Sequence, residues 1–196
     1  MRWDKLIGRE RMEKNTEDLT SSPSINDKVE EWIDLYSHDL KWLAFSYVKD
    51  HAAAEDLTQE TFIKAYQKYK TFKQESSEKT WLYKITINLC KDHLKSSYIR
   101  RVFKKGAEVF QHIPSQNETP EQHTVNKSED EELLEHILNL EDKYREVIIL
   151  YYFEEFEVKE LAELLKVSPN TVKTRLRRGR QLLQEQLASE GSTMNE

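Results

Sequence analysis

From residue 26 onward the chain carries apolar residues at helical spacing. Val29, Trp32, Ile33, Tyr36, Leu40, Leu43, Ala44 and Tyr47 recur at intervals of three and four, which predicts an amphipathic helix. A second helix is expected over residues 52–69, where Leu57, Phe62, Ile63 and Tyr66 keep the same period. Residues 71–78 break the pattern and read as a loop, and a third helix follows over residues 79–97. Residues 98–128 lose periodicity and gain Gln, Asn, Pro, Thr and Ser, so they read as a linker. The period returns at residue 129 with Leu133, Leu134, Ile137, Leu138 and Leu140, and a further helix is expected around residues 143–152. Residues 1–25 are charged and weakly patterned, a mobile N-terminal extension, and residues 188–196 form a polar tail. The expected architecture is all-α: two small helical domains, residues 26–97 and 129–187, joined by the flexible linker 98–128.

Residues 157–180, EVKELAELLKVSPNTVKTRLRRGR, have the form of a helix-turn-helix. Ser168 suits the N-cap of the second helix, and Pro169 its first position, where a missing N–H costs little. Val172, Leu176, Gly179 and Leu183 fall on one buried stripe at about 100° per residue. Asn170, Thr174, Arg177, Arg178 and Gln181 fall on the opposite face, flanked by Lys173, Arg175 and Arg180. Residues 166–180 hold six basic residues and no acid. Arg and Lys neutralise phosphates, while Asn, Thr and Arg read base edges. A solvated basic helix ending a bundle is the plainer alternative, but the cap, the small residue, the turn and the basic face coincide.

The third helix carries its own pattern. Lys84, Asn88, Lys91, Asp92 and Lys95 form one polar stripe with Trp81 on its border. Leu82, Ile85 and Leu89 make an apolar stripe to one side, and Tyr83, Ile87 and Leu94 another on the far side. A cationic stripe beside an aromatic, with both flanks covered, suits an unpaired strand: aromatics stack on bases and Lys holds the backbone. Taken alone, Trp81 fits a core position as well.

Charge sharpens this picture. The net charge of −6 argues against DNA until its distribution is considered. Residues 84–105 hold seven basic residues and one acid, whereas residues 115–160 hold fourteen acids and four bases. DNA responds to local potential more than to the total. The acidic block reads as a solvated or protein-binding face. The six His residues are scattered, no zinc spacing occurs, and no Gly-rich phosphate loop is present. These features predict no catalysis, no metal and no cofactor. The lone Cys90 lies in an apolar helical pattern and reads as a buried structural thiol. No stretch is apolar enough to span a membrane and no signal-peptide core is present, so a cytoplasmic protein is expected.

Three ordered motifs resemble one family: AEDLTQETFIKAY at residues 54–66, TWLYKITINLCKDHLK at residues 80–95, and the stretch from Leu140 through SPNTVKTRLRRGR. On these the chain resembles an extracytoplasmic-function (ECF, group IV) sigma factor of the sigma-70 family over roughly residues 28–187. The resemblance implies a non-enzymatic factor, with a region 2 bundle at residues 26–97 and a region 4 helix-turn-helix at residues 129–187. It also implies binding to core RNA polymerase at the β′ clamp and β flap, to promoter DNA, and to an anti-sigma partner that can be membrane-bound. By position, Asp56, Gln59, Glu60 and Phe62 are implied to face the clamp, although Glu60 and Lys64 also suit a local i,i+4 pair. Asn88 matches the residue that contacts a flipped-out −10 base, and Trp81, Lys84, Lys91, Asp92 and Lys95 share its DNA-facing stripe. Asn170, Thr171, Lys173, Thr174, Arg177 and Arg178 are implied to read the −35 element, with Arg175 and Arg180 on phosphates. The sequence departs from the family at Lys166 and Asn170, where Gly is common, and at Thr86 and Ile87. A non-Gly residue at position 166 implies either an uncomfortable backbone angle or a slightly different turn. The alternative reading is a conventional helix-turn-helix regulator that binds duplex DNA without polymerase, although no dimerisation helix is evident.

Overall fold

The computed structural model describes residues 24–73, 76–107 and 129–193. Most of the expected N-terminal extension, residues 108–128 of the expected linker and the last three residues lie outside the described residues. Regular structure among the described residues is helical throughout.

Helix α1 (Ile25–Val48) starts at a capping box. The Asp27 N–H donates to Ser24 Oγ at 3.2 Å, and the Ser24 N–H donates to the Asp27 carboxylate at 2.8 Å, so two orphan donors are satisfied reciprocally. The helix stops at Lys49, which takes a left-handed conformation with φ 54°. Asp50 then caps α2 (His51–Lys68) through the Ala53 N–H at 2.8 Å. A two-residue connection makes α1 and α2 antiparallel neighbours. A 3₁₀ turn (Tyr69–Thr71) leads towards α3 (Glu78–Ala107), which packs on both. Their shared core holds Trp32, Leu40, Leu43, Leu82 and Tyr83, all fully buried. The Trp32 indole N–H is satisfied by Glu78 at 2.8 Å. Where α2 meets α3, the buried hydroxyls of Thr61 and Thr86 lie 3.1 Å apart, each also bonded to the carbonyl four residues back. Cys90 is buried in the same core.

The second module comprises α4 (Glu129–Asn139), α5 (Asp142–Ile148), a π-helical turn (Ile149–Phe153), α6 (Val158–Leu165) and α7 (Pro169–Thr193). Buried Arg145 ties the α4–α5 corner together by donating to the carbonyls of Leu138 at 3.2 Å and Leu140 at 2.6 Å. Val147, Ile149, Leu150, Leu161 and Val172 fill the core. Helix α6 ends at Lys166 in the left-handed region, φ 55°, the first of the two outcomes open for a non-Gly residue in this turn. Gly179 lets α7 approach α5 closely, because a Cβ there would lie 3.0 Å from Ile148 Cγ1.

Three boundaries differ from the sequence pattern. Helix α3 runs ten residues past Ser97 to Ala107, into the expected linker. That extension contains no Pro and several Arg and Lys residues, which favour helix without needing an apolar stripe. Helix α7 similarly continues beyond residue 187 to Thr193, into the expected polar tail. The helix expected around residues 143–152 is shorter and finishes as the π-helical turn.

The two modules pack on each other. The Tyr83 ring meets Phe156 edge-on at 5.1 Å, and Trp42 lies 6.0 Å from Phe153. The Tyr83 flank of α3 is therefore covered by the second module.

Candidate nucleic-acid interface

The turn before α7 folds by local chemistry. The Thr171 N–H donates to Ser168 Oγ at 3.1 Å, and Pro169 occupies the first helical position. Val172, Leu176 and Gly179 are buried against α5 and α6, with Leu183 partly buried. This orientation fixes the opposite face outward. Asn170, Lys173, Thr174, Arg177 and Arg180 are exposed, and Thr171, Arg175 and Arg178 are partly so. A hollow of about 500 Å³ opens on this face, lined by Asn170, Thr171, Thr174, Arg177 and Arg178 together with Lys143 and Tyr144 of α5. It is an open cationic surface with hydroxyl and amide groups, suited to a polyanion carrying hydrogen-bonding edges. Arg175, expected on phosphates, turns its guanidinium inward and donates to buried Glu146 at 3.0 Å.

On α3, Lys84, Asn88, Lys91, Asp92 and Lys95 are exposed along one stripe. Lys91 reaches Glu146 as well, at 3.1 Å. Trp81 is partly buried, packed edge-on to Trp32 at 5.8 Å and stacked on Phe72 at 4.6 Å. Phe72 therefore already stacks on the Trp81 ring, which borders the polar stripe as a wall.

A third surface lies between α1 and α2. Asp56, Gln59 and Glu60 are exposed there, but Phe62 is only 7% exposed and belongs to the core as much as to the surface. Glu60 forms the local i,i+4 ion pair with Lys64, at 3.0 Å. Ile33, Ile63 and Tyr66, whose spacing suggested core positions, stand 42%, 56% and 49% exposed. With Val29, Gln59 and Phe62 they line a groove of about 780 Å³. Contiguous exposed apolar residues in a groove mark a docking surface rather than a solvated face.

Sequence reasoning missed Lys143 and Tyr144 in the hollow, and Glu146 and Glu154 between the modules. The acidic block reads in the sequence as a solvated or protein-binding face, and within it these two carboxylates are buried. The Tyr47 hydroxyl donates to Glu146 at 2.9 Å, and the Tyr83 hydroxyl donates to Glu154. Burial first, and then the Glu146 charge, hold the Tyr47 hydroxyl well above the ordinary tyrosine range, so it remains a donor.

Comparison with known families agrees with this arrangement. A match to Sigma-70 region 2 over residues 32–99 falls within the first module, and a match to Sigma-70, region 4 over residues 130–183 within the second. The pairing of the two defines a sigma-70-type factor. Among curated relatives, the ECF RNA polymerase sigma factor SigW of Bacillus subtilis is 34% identical, over 82% of this chain and 89% of its own length. The RNA polymerase sigma factor SigV of the same organism is also 34% identical, over 79% and 88%. The sigma factor RpoE from Bartonella quintana, solved with the anti-sigma factor NepR, superposes with a TM-score of 0.62 at 26% identity, covering 82% of this chain and 97% of that one. CnrH, solved with the cytosolic domain of CnrY, shares the fold at a TM-score of 0.58 and 18% identity, over 84% and 90%. The chain belongs to the ECF sigma factors of the sigma-70 family, and its function is that of an RNA polymerase sigma factor.

Proposed function

We propose that the three surfaces divide the work of transcription initiation. The apolar groove between α1 and α2 takes a helical element of core RNA polymerase, the β′ clamp, with Asp56, Gln59 and Glu60 at its polar rim. The stripe of α3 captures the unpaired −10 strand. Asn88 hydrogen-bonds a flipped base, and Lys84, Lys91 and Lys95 hold the backbone. The outer face of α7 reads the −35 duplex, while the second module also meets the β flap. The bond-making chemistry belongs to the polymerase; this chain contributes binding energy and position.

One observation carries the reading: Asn88 stands exposed within a cationic stripe whose apolar flanks are buried at Leu82, Tyr83, Ile87 and Leu89 and partly buried at Ile85 and Leu94. A helix built only to pack has no use for that arrangement, and a duplex reader has no use for it beside α7. Promoter elements two helical turns apart are separated by about 70 Å. The chain from Ala107 to Glu129 spans at most about 75 Å, so the helical extension of α3 leaves just enough reach. Unstacking a base costs a few kcal/mol, so free affinity for DNA is weak and salt-sensitive, and tethering through polymerase supplies the rest.

The likeness to RpoE, solved with its anti-sigma factor, supports an anti-sigma partner for this chain too, soluble or held at a membrane. No helix among the described residues is long and apolar enough to cross a membrane itself, and action in the cytoplasm follows from the proposed partners. Run-off transcription with bacterial core polymerase on a pool of promoter fragments tests the reading. Specific transcripts should appear only when this chain is added. Tight duplex binding without polymerase, and no transcripts, would favour the conventional regulator.

A further inference from the structure

Glu146 sits on α5 with its carboxylate buried, and donors from both modules converge on it. Tyr47 of α1 and Lys91 of α3 approach one oxygen at 2.9 and 3.1 Å, and Arg175 of α7 approaches the other at 3.0 Å. Glu154, also buried, forms a second bridge. It accepts from the Tyr83 hydroxyl, while the Lys79 ammonium donates to its backbone carbonyl at 2.6 Å and lies 3.7 Å from its carboxylate. The same ammonium lies over the Phe156 ring at 5.0 Å. A buried carboxylate is tolerated only when charges and hydrogen bonds offset its desolvation. Separating the modules removes the Tyr47 and Lys91 donors from Glu146 and exposes it to water. Closure and these bridges are therefore coupled.

We infer that Glu146 and Glu154 form a polar latch that holds the two modules closed in the free protein, with Glu146 masking one cation from each DNA-reading helix. Lys91 belongs to the stripe assigned to the unpaired strand, and Arg175 to the helix assigned to the duplex, so the masking rests on that reading. Phosphates and the Glu146 carboxylate compete for the same two side chains. The closed form thus lowers apparent DNA affinity by the fraction of molecules that are open. Salt weakens the latch and DNA binding alike, and only a charge change within the latch separates the two.

The test is the full chain carrying Glu146→Gln and Glu154→Gln, which preserve side-chain volume, followed by small-angle scattering and by titration of a fluorescent duplex at low salt. Circular dichroism checks that helix content is kept. The latch predicts a larger radius of gyration and duplex binding tighter by about three- to tenfold, the scale of a few partly exposed ion pairs. Changing an acid within the second module risks unfolding it, so a second variant, Tyr47→Phe with Lys79→Gln, removes donors from the first module instead. It should expand the protein in the same direction. An unchanged radius in both folded variants overturns the latch. Expansion without tighter duplex binding overturns the masking. Failure of the parent chain in run-off transcription would count against the promoter reading and leave the scattering result untouched.

Discussion

The two modules solve opposite problems at their surfaces. The first buries large aromatic and aliphatic side chains around Trp32 and still leaves Ile33, Ile63 and Tyr66 in an open groove. The second has a small core of Leu, Ile and Val, and buries Glu146 and Glu154 where it meets the first. One module has apolar area to spare; the other has charge that its own residues only partly satisfy. The contrast teaches where partners belong. Spare apolar area calls for a protein that covers it, whereas a buried carboxylate calls for cations, supplied here by Lys91 and Lys79 of the neighbouring module.

The largest effect should separate the first module's interior from its groove. Burial pushes the Cys90 thiol up to about 12, so the thiolate is scarce in the native state. Near pH 8 its reaction with a disulfide reagent should run about a thousandfold slower than that of an unfolded thiol. The sign follows from a raised folded pKa: this contribution to stability is intact below the ordinary thiol range and is lost as pH climbs towards 12. Rapid labelling of the folded protein would show that the first module opens readily. The next effect isolates the second module. Gly179→Val drives a branched side chain into Ile148 and Tyr144 and should cost about 1–3 kcal/mol, read as an earlier melting of that module. An unchanged melt would mean that α7 does not hold its close approach to α5.

Ile63→Asp should leave stability within about 0.5 kcal/mol, because the side chain is exposed, yet weaken binding to core polymerase about tenfold or more. Equal polymerase binding would remove the groove from the account. The smallest effect lies in the turn. Lys166→Gly relieves a left-handed backbone but frees the unfolded chain, for a net gain of about 0.5–1 kcal/mol in thermal melts. A loss instead would show that the Lys166 side chain contributes contacts of its own.

The sequence made the helices and their faces legible because those features are local. Ser168, Pro169 and the Val172–Leu176–Gly179 stripe orient α7 without reference to anything distant. The same holds for the exposed polar stripe of α3. Periodicity identifies an apolar face but not whether the fold supplies a cover for it, which is why Ile63 and Tyr66 resemble core residues in the sequence and stand exposed in the structure. Glu146 was illegible for a different reason. Its Tyr47 partner lies 99 residues earlier in the chain, and a net acidic block gives no hint which acids turn inward. The same holds for Arg175: its helix face is legible in the sequence, but its counter-ion Glu146, 29 residues earlier, is not. The far end of α3 was missed because helix propensity without an apolar stripe leaves no period to detect.

The division of labour between α3 and α7 is tested most directly by permanganate footprinting of polymerase–promoter complexes formed with Asn88→Ala. Unpaired thymines in the −10 strand should lose most of their reactivity while the −35 region stays protected. Thymine reactivity equal to that of the parent chain would contradict the assignment of strand capture to α3.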